Sequence, residues 1–153
     1  MEKDKMGYYF AYGSNLHHLQ MARRCPNCKF IKKITLNNYK LTFRIDVDGC
    51  KHGYKHGVAD VEKEKGQKVY GALFVISEPA ERRLDVAEDY PKLYKKLYFE
   101  YDNKKVMTYI MPKKTELFLP TTRYLNIIKQ GYKDCKIDIK HLNLALSDIG
   151  RII

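Results

Sequence analysis

Tryptophan is absent from this chain of 153 residues, proline occurs five times and cysteine four times. So few cysteines, in a chain read as cytosolic, exclude the disulfide framework that holds many small secreted domains together. No apolar run approaches the roughly 20 residues that cross a bilayer as a helix. The opening Met1-Glu2-Lys3-Asp4-Lys5 is charged and precedes no apolar block with a small-residue cleavage site, so no secretory signal is expected. Acid is the scarce charge: 18 acidic residues face 29 basic ones, a net charge of +11. The expectation is a soluble, cytoplasmic protein of one domain, long enough to bury roughly two-thirds of its unfolded surface.

The excess of base raises the question of nucleic acid. The lysines are nevertheless scattered as pairs (Lys32-Lys33, Lys95-Lys96, Lys104-Lys105, Lys113-Lys114), with no block of five or more. Nucleic acid is therefore not the expected partner, and neither is a membrane. A positive field can still draw in an anionic small molecule. The sequence is compatible with a homodimer but does not specify one. Cys25-Pro26-Asn27-Cys28 has the spacing of a zinc half-site. Cys50-Lys51-His52 and His56 supply no second C-x-x-C or H-x-x-x-H, and adjacent His17 and His18 would point about 100 degrees apart on a helix. Structural cysteines and no metal are the expectation.

Periodicity gives an α+β order. Tyr8 to Tyr12 reads as a buried first strand, followed by a helix from Leu16 to Arg24 that Pro26 stops. Leu36 to Asp46 alternates at Leu41, Phe43 and Ile45, a strand with one apolar face. Asp48-Gly49 and the Gly53–Gly57 stretch read as loop. Glu64-Lys65-Gly66-Gln67 reads as a turn, which makes Val58–Val61 and Val69–Ile76 the arms of a hairpin. Ser77 is placed to cap a helix with Pro79 in its first turn, running to about Glu88. Strands follow at Leu97–Tyr101 and Val106–Met111, joined by Asp102-Asn103-Lys104-Lys105. A helix starts at Thr121 or Thr122 and ends at Gly131, and a last one covers Ile139–Ile149.

The segment richest in chemical meaning is Tyr9-Phe10-Ala11-Tyr12-Gly13-Ser14-Asn15-Leu16. An aromatic strand breaks at Gly-Ser-Asn and a helix follows at once, so several N–H groups can converge beside the positive end of that helix. A carboxylate or a developing oxyanion suits such a place. The same residues also fit an ordinary turn, with Gly13 at positive φ and Asn15 as helix cap. Glu88 has two readings as well. It shares a helical face with Leu84, four residues earlier, and so turns inward if Leu84 packs; otherwise it is a solvated acid on a helix that also carries Glu78, Glu81, Arg82, Arg83 and Asp85.

Taken together these segments resemble the γ-glutamylcyclotransferase family over roughly residues 8–133. Tyr-Phe-Ala-Tyr-Gly-Ser-Asn-Leu is similar to the family's opening motif. Arg24-Cys25-Pro26, Val69-Tyr70-Gly71-Ala72-Leu73-Phe74, Leu84-Asp85-Val86-Ala87-Glu88, Tyr109 and the Pro120–Tyr124 stretch follow in the family's order. The resemblance implies a small, mostly antiparallel β-barrel with flanking helices. It also implies a small γ-glutamyl substrate, no cofactor, and ring closure to 5-oxoproline with release of an amino acid or amine. By resemblance Glu88 is the general acid/base. Tyr9, Phe10, Ala11, Tyr12, Gly13 and Ser14 form a substrate-binding strip completed by the Asn15 backbone, with Tyr124 as a further contact and Tyr94 and Tyr109 as weaker candidates. Asp89-Tyr90-Pro91-Lys92-Leu93 replaces the glycine-containing loop of many eukaryotic relatives, on the leaving-group side. The Gly-Ser-Asn form resembles the main branch more than the γ-glutamylamine relatives, whose motif reads Tyr-Gly-Thr-Leu.

Overall fold

The computed structural model describes residues 5–46 and 55–152, with the side chain of Ile152 left aside. Asp48-Gly49, Gly53, Cys50 and His52 lie outside that range. Strand β1 (Met6–Ala11) leads through a 3-10 turn (Ser14–Leu16) into helix α1 (His18–Arg24). Two long strands follow, β2 (Lys29–Ile45) and β3 (Gly57–Ser77), then α2 (Glu78–Ala87). The hairpin β4 (Lys95–Tyr101) and β5 (Lys104–Ile110) and two helices, α3 (Thr122–Asp134) and α4 (Lys140–Ile152), complete the chain.

The strands form one sheet in the order β2-β3-β1-β5-β4. All neighbours run antiparallel except β1 and β5, which pair in parallel at Tyr8–Val106 and Tyr9–Met107. The mixed α+β class is as expected, but the sheet does not close: among the described residues no ladder joins β2 to β4. The edges approach instead through Lys32 of β2, whose ammonium sits 5.3 Å from the Tyr101 ring of β4. The far half of β2 is covered by residues 116–118, where Ile45 N–H donates to Glu116 O (2.9 Å) and Phe118 N–H to Phe43 O (3.0 Å). That covering segment occupies the edge a closed barrel would need.

The hairpin predicted within residues 58–76 is not formed. β3 is one strand: it pairs with β2 on both sides of the polar stretch, from Gly57 to Lys63 and from Lys68 to Val75, with an irregularity between Asn37 and Tyr39, and its end from Ala72 to Ser77 also pairs with β1. Glu64-Lys65-Gly66-Gln67 is polar because that part of the ribbon is exposed, not because the chain reverses there. Gly66 takes φ +87 at the irregularity, and its N–H donates to Asn38 Oδ1 at 3.1 Å. The β4–β5 connection is tighter than expected: Asp102 and Asn103 both adopt positive φ, as a two-residue hairpin turn requires.

Gly131 does not end α3, which continues to Asp134. Its role is close approach: a Cβ there would lie 2.5 Å from Leu16 Cβ and 2.7 Å from His17 N. α3 thus clamps the 3-10 turn directly against the core, where Leu16, Ile128 and Tyr132 are buried. Gly131→Ala is expected to cost about 1–3 kcal/mol by overpacking and to displace the 3-10 turn. Thermal melting would read the first effect and kcat/KM the second; an unchanged melting temperature would count against the clamp.

Candidate active site

β1 carries Tyr9 into the interior and stops at Ala11, because the chain must turn before the 3-10 segment. Gly13 occupies the bend at φ −122, not in the left-handed region anticipated for it. Space explains the glycine: a Cβ would sit 3.0 Å from Ala59 Cβ and 3.5 Å from Tyr124 Oη. Asn15 does not cap α1. His17 does, its Nδ1 accepting from Gln20 N–H at 3.1 Å. The Asn15 side chain is left for another use.

The α2 helix delivers Glu88. Ser77 Oγ caps it by accepting from Ala80 N–H (3.2 Å), and Pro79 lies in the first turn. Leu84 is fully buried, and Glu88 follows one turn later, its N–H bonded to Leu84 O at 2.8 Å. The inward reading of Glu88 therefore holds: its side chain is only 19% exposed. It lines a small hollow, partly open to solvent, together with Tyr9, Tyr12, Gly13, Ser14, Asn15, Tyr124 and others.

Asn15 ties the two halves of this hollow together. Its Nδ2 donates to Glu88 Oε1 (3.1 Å) and to Tyr9 Oη (3.0 Å). Its Oδ1 accepts from Arg24 Nη1 (2.9 Å) and Gln20 Nε2 (3.3 Å). Arg24 Nη1 also stands 3.8 Å from Glu88 Oε1. Burial pushes the Glu88 carboxyl above its ordinary value, and Arg24 and Asn15 pull it back in part.

Tyrosines build the remaining wall. Tyr94 Oη donates to Ala59 O (2.5 Å), and Ala59 N–H donates to Tyr124 Oη (3.1 Å), so the two peptide groups flanking the Ala59 Cα on β3 are each held by a tyrosine. Tyr12 Oη donates to Tyr109 O, and Tyr109 Oη to Asp85 Oδ1, each at 2.6 Å. Burial raises all of these phenols, so they stay neutral donors at physiological pH. The hydroxyl hydrogens of Tyr9 and Tyr124 have no acceptor among the described residues.

Most of the strip expected from sequence therefore meets at one place. Tyr9, Tyr12, Gly13, Ser14, Asn15, Glu88 and Tyr124 share the hollow, as do Tyr94 and Tyr109. Phe10 and Ala11 do not line it. Phe10 is wholly buried with its ring against Phe99, and Ala11 pairs with Ala72 across the sheet. Arg24, Gln20 and Ala59 were not anticipated as site residues. Spacing held a clue to two of them: Gln20 and Arg24 are four apart on α1 and so share a face. Cys25 is buried, with its thiol pushed up to about 12 by burial, and Cys28 is half-buried. Among the described residues no group of three His, Cys, Asp or Glu gathers in a metal-binding arrangement.

The fold has solved counterparts. An uncharacterized human protein, loc79017, superposes with TM-score 0.77 at 22% identity, over 93% of this chain and 87% of its own. A protein described as gamma-glutamyl cyclotransferase gives TM-score 0.77 at 22% identity, over 92% of this chain and 86% of its own. YkqA from Bacillus subtilis gives 0.76 at 18% identity, over 95% of this chain and 55% of its own. At such identities the likeness concerns fold alone. No curated protein sequence matches the chain. The family model described as "Gamma-glutamyl cyclotransferase, AIG2-like" matches residues 9–131, from the β1 tyrosine that meets Asn15 to the α3 glycine that packs on the 3-10 turn. The chain belongs to that family.

Proposed function

We propose that this protein is a cofactor-independent γ-glutamylcyclotransferase in which Glu88 is the general acid/base. The α-amino nitrogen of a γ-glutamyl amide attacks its own γ-carbonyl carbon, closing the five-membered ring. The bond from that carbon to the amide nitrogen then breaks, giving 5-oxoproline and a free amine or amino acid. One proton leaves the attacking nitrogen through Glu88 and reaches the departing nitrogen by the same carboxyl. Because the nucleophile is tethered to its target, holding the reactive conformer supplies much of the rate.

Glu88 in the hollow, bonded to the Asn15 of the Gly-Ser-Asn turn, is the observation that carries this reading. An ordinary glutamate (pKa about 4.3) faces an amine of about 8, a mismatch of roughly 5 kcal/mol. Burial raises Glu88 and narrows that gap. The opening N–H groups of a helical turn lack intrahelical acceptors, and those of Ser14 and Asn15 suit the oxyanion, a donor of this kind being worth roughly 3 kcal/mol. The phenols of Tyr9 and Tyr124 supply neutral donors for the γ-glutamyl portion.

A panel of γ-glutamyl amino acids and γ-glutamyl amines, scored for 5-oxoproline, tests the reaction. Turnover of at least one class is expected, and the preferred class separates amino-acid release from amine release. Absence of turnover across the panel, with binding of nucleic acid that weakens steeply as salt rises, would instead favour a non-catalytic basic protein on the same fold.

A further inference from the structure

We propose that Arg24, acting through the side-chain amide of Asn15, is a positioning residue that fixes how Glu88 is presented to substrate; this rests on the cyclotransferase reading above. Asn15 is 2% exposed and uses its whole hydrogen-bonding capacity: two bonds at Oδ1, two at Nδ2. An amide can be seated either way round, but a guanidinium only donates. Arg24 at 2.9 Å therefore requires Oδ1 on its side, which turns Nδ2 toward Glu88 and Tyr9. Reversal would set Oδ1 against the Glu88 carboxylate and NH₂ against the guanidinium, two repulsive contacts.

The consequence falls on the two carboxylate oxygens unequally. Oε1 is held by Asn15 and faces Arg24, while Oε2 has no hydrogen-bond partner among the described residues and remains for the substrate nitrogen. The groups around Glu88 come from every side: Arg24 from α1, Asn15 from the 3-10 turn, Tyr9 and Tyr12 from the β1 region. Tyr94, Tyr109 and Tyr124 complete the wall. Asp46, His56 and Asp89 line an adjoining hollow that also reaches Glu88 and Arg24. Among these described lining residues Arg24 is the permanent cation, so its removal takes away the charge that opposes the effect of burial on Glu88.

The base works deprotonated, so the acid limb of kcat/KM against pH follows the Glu88 pKa. In Arg24→Gln that limb is expected to move up by about one pH unit, the lower end of the effect of a neighbouring opposite charge. Arg24→Lys keeps the charge but not the planar fork; its limb is expected to stay within a few tenths of wild type while kcat falls about tenfold. A residue that merely braces α1 would lower activity in both variants without moving the limb. The Glu88 carboxyl ¹³C shift, titrated in the unliganded protein, gives the same midpoint without turnover. Arg24 is one-third exposed in the last turn of α1, and melting temperatures check that the variants fold. A limb and a ¹³C midpoint both unmoved in Arg24→Gln would overturn the proposal. Wild-type protein that releases no 5-oxoproline would instead remove the cyclotransferase reading, and the ¹³C midpoint would still decide whether Arg24 governs Glu88.

Discussion

Replacing Glu88 by glutamine is expected to lower kcat for 5-oxoproline release by about 10²–10⁴-fold, the contribution of a positioned general acid/base. Glutamine keeps the length of the side chain and an oxygen that can accept from Asn15, so shape and the 3.1 Å contact survive while basicity does not. Stability should move the other way. A carboxyl whose folded pKa lies above its unfolded value favours the fold at low pH, and that contribution is lost as pH rises through the folded value. Burial places Glu88 in this class, so ionising it within the fold carries a cost that glutamine does not bear. The variant should therefore melt at or above the wild-type temperature. Near-normal turnover would remove Glu88 from the role of base. Lost turnover with a lower melting temperature would point to unfolding rather than chemistry.

The second large effect is structural. Asp60 on β3 is wholly buried, accepts from Met111 N–H (2.9 Å) and Lys114 Nζ (2.7 Å), and lies 3.8 Å from Arg44 Nε. Arg44 Nε makes no hydrogen bond of its own. Removing the carboxylate in Asp60→Ala strands a guanidinium whose side chain is 9% exposed, and breaking such a buried pair costs roughly 3–5 kcal/mol. The lower figure is expected, because Arg44 keeps Thr115 O and Glu62, and Lys114 can turn toward water. At about 2–4 °C per kcal/mol for a chain of this size, the melting temperature should fall by about 10 °C. Ala59, whose backbone N–H and C=O bond to Tyr124 and Tyr94, is the preceding residue, so kcat/KM should fall as well. A melting temperature unchanged in Asp60→Ala would mean that the cluster adds nothing to stability.

Local signals in the sequence were faithful where chemistry and conformation coincide. Ser77, Pro79 and Leu84 set the start, first turn and buried face of α2, and hence the inward turn of Glu88. They were misleading where polarity has two causes. Glu64 to Gln67 is polar because the β2–β3 ribbon is exposed there, which on paper is indistinguishable from a reversal. Glycine is ambiguous in the same way: Gly131 and Gly13 answer to crowding by Leu16 and Ala59, contacts that arise only once remote segments meet. The parallel pairing of β1 with β5 joins residues about a hundred positions apart, and no local pattern encodes it. The Asn15–Arg24–Glu88 link was hidden for the same reason, since Asn15 looked like a cap until His17 was seen to fill that role.

The tyrosine wall also gives the folded state an optical signature. Tyr9, Tyr12, Tyr94, Tyr109, Tyr124 and Tyr132 are all shifted upward by burial, six of the 13 tyrosines in the chain. In strong alkali the phenolate absorbance of these six should therefore lag for as long as the fold persists. The late fraction should appear in a step when the native packing gives way, so an ultraviolet base titration would report the integrity of the pocket without any ligand.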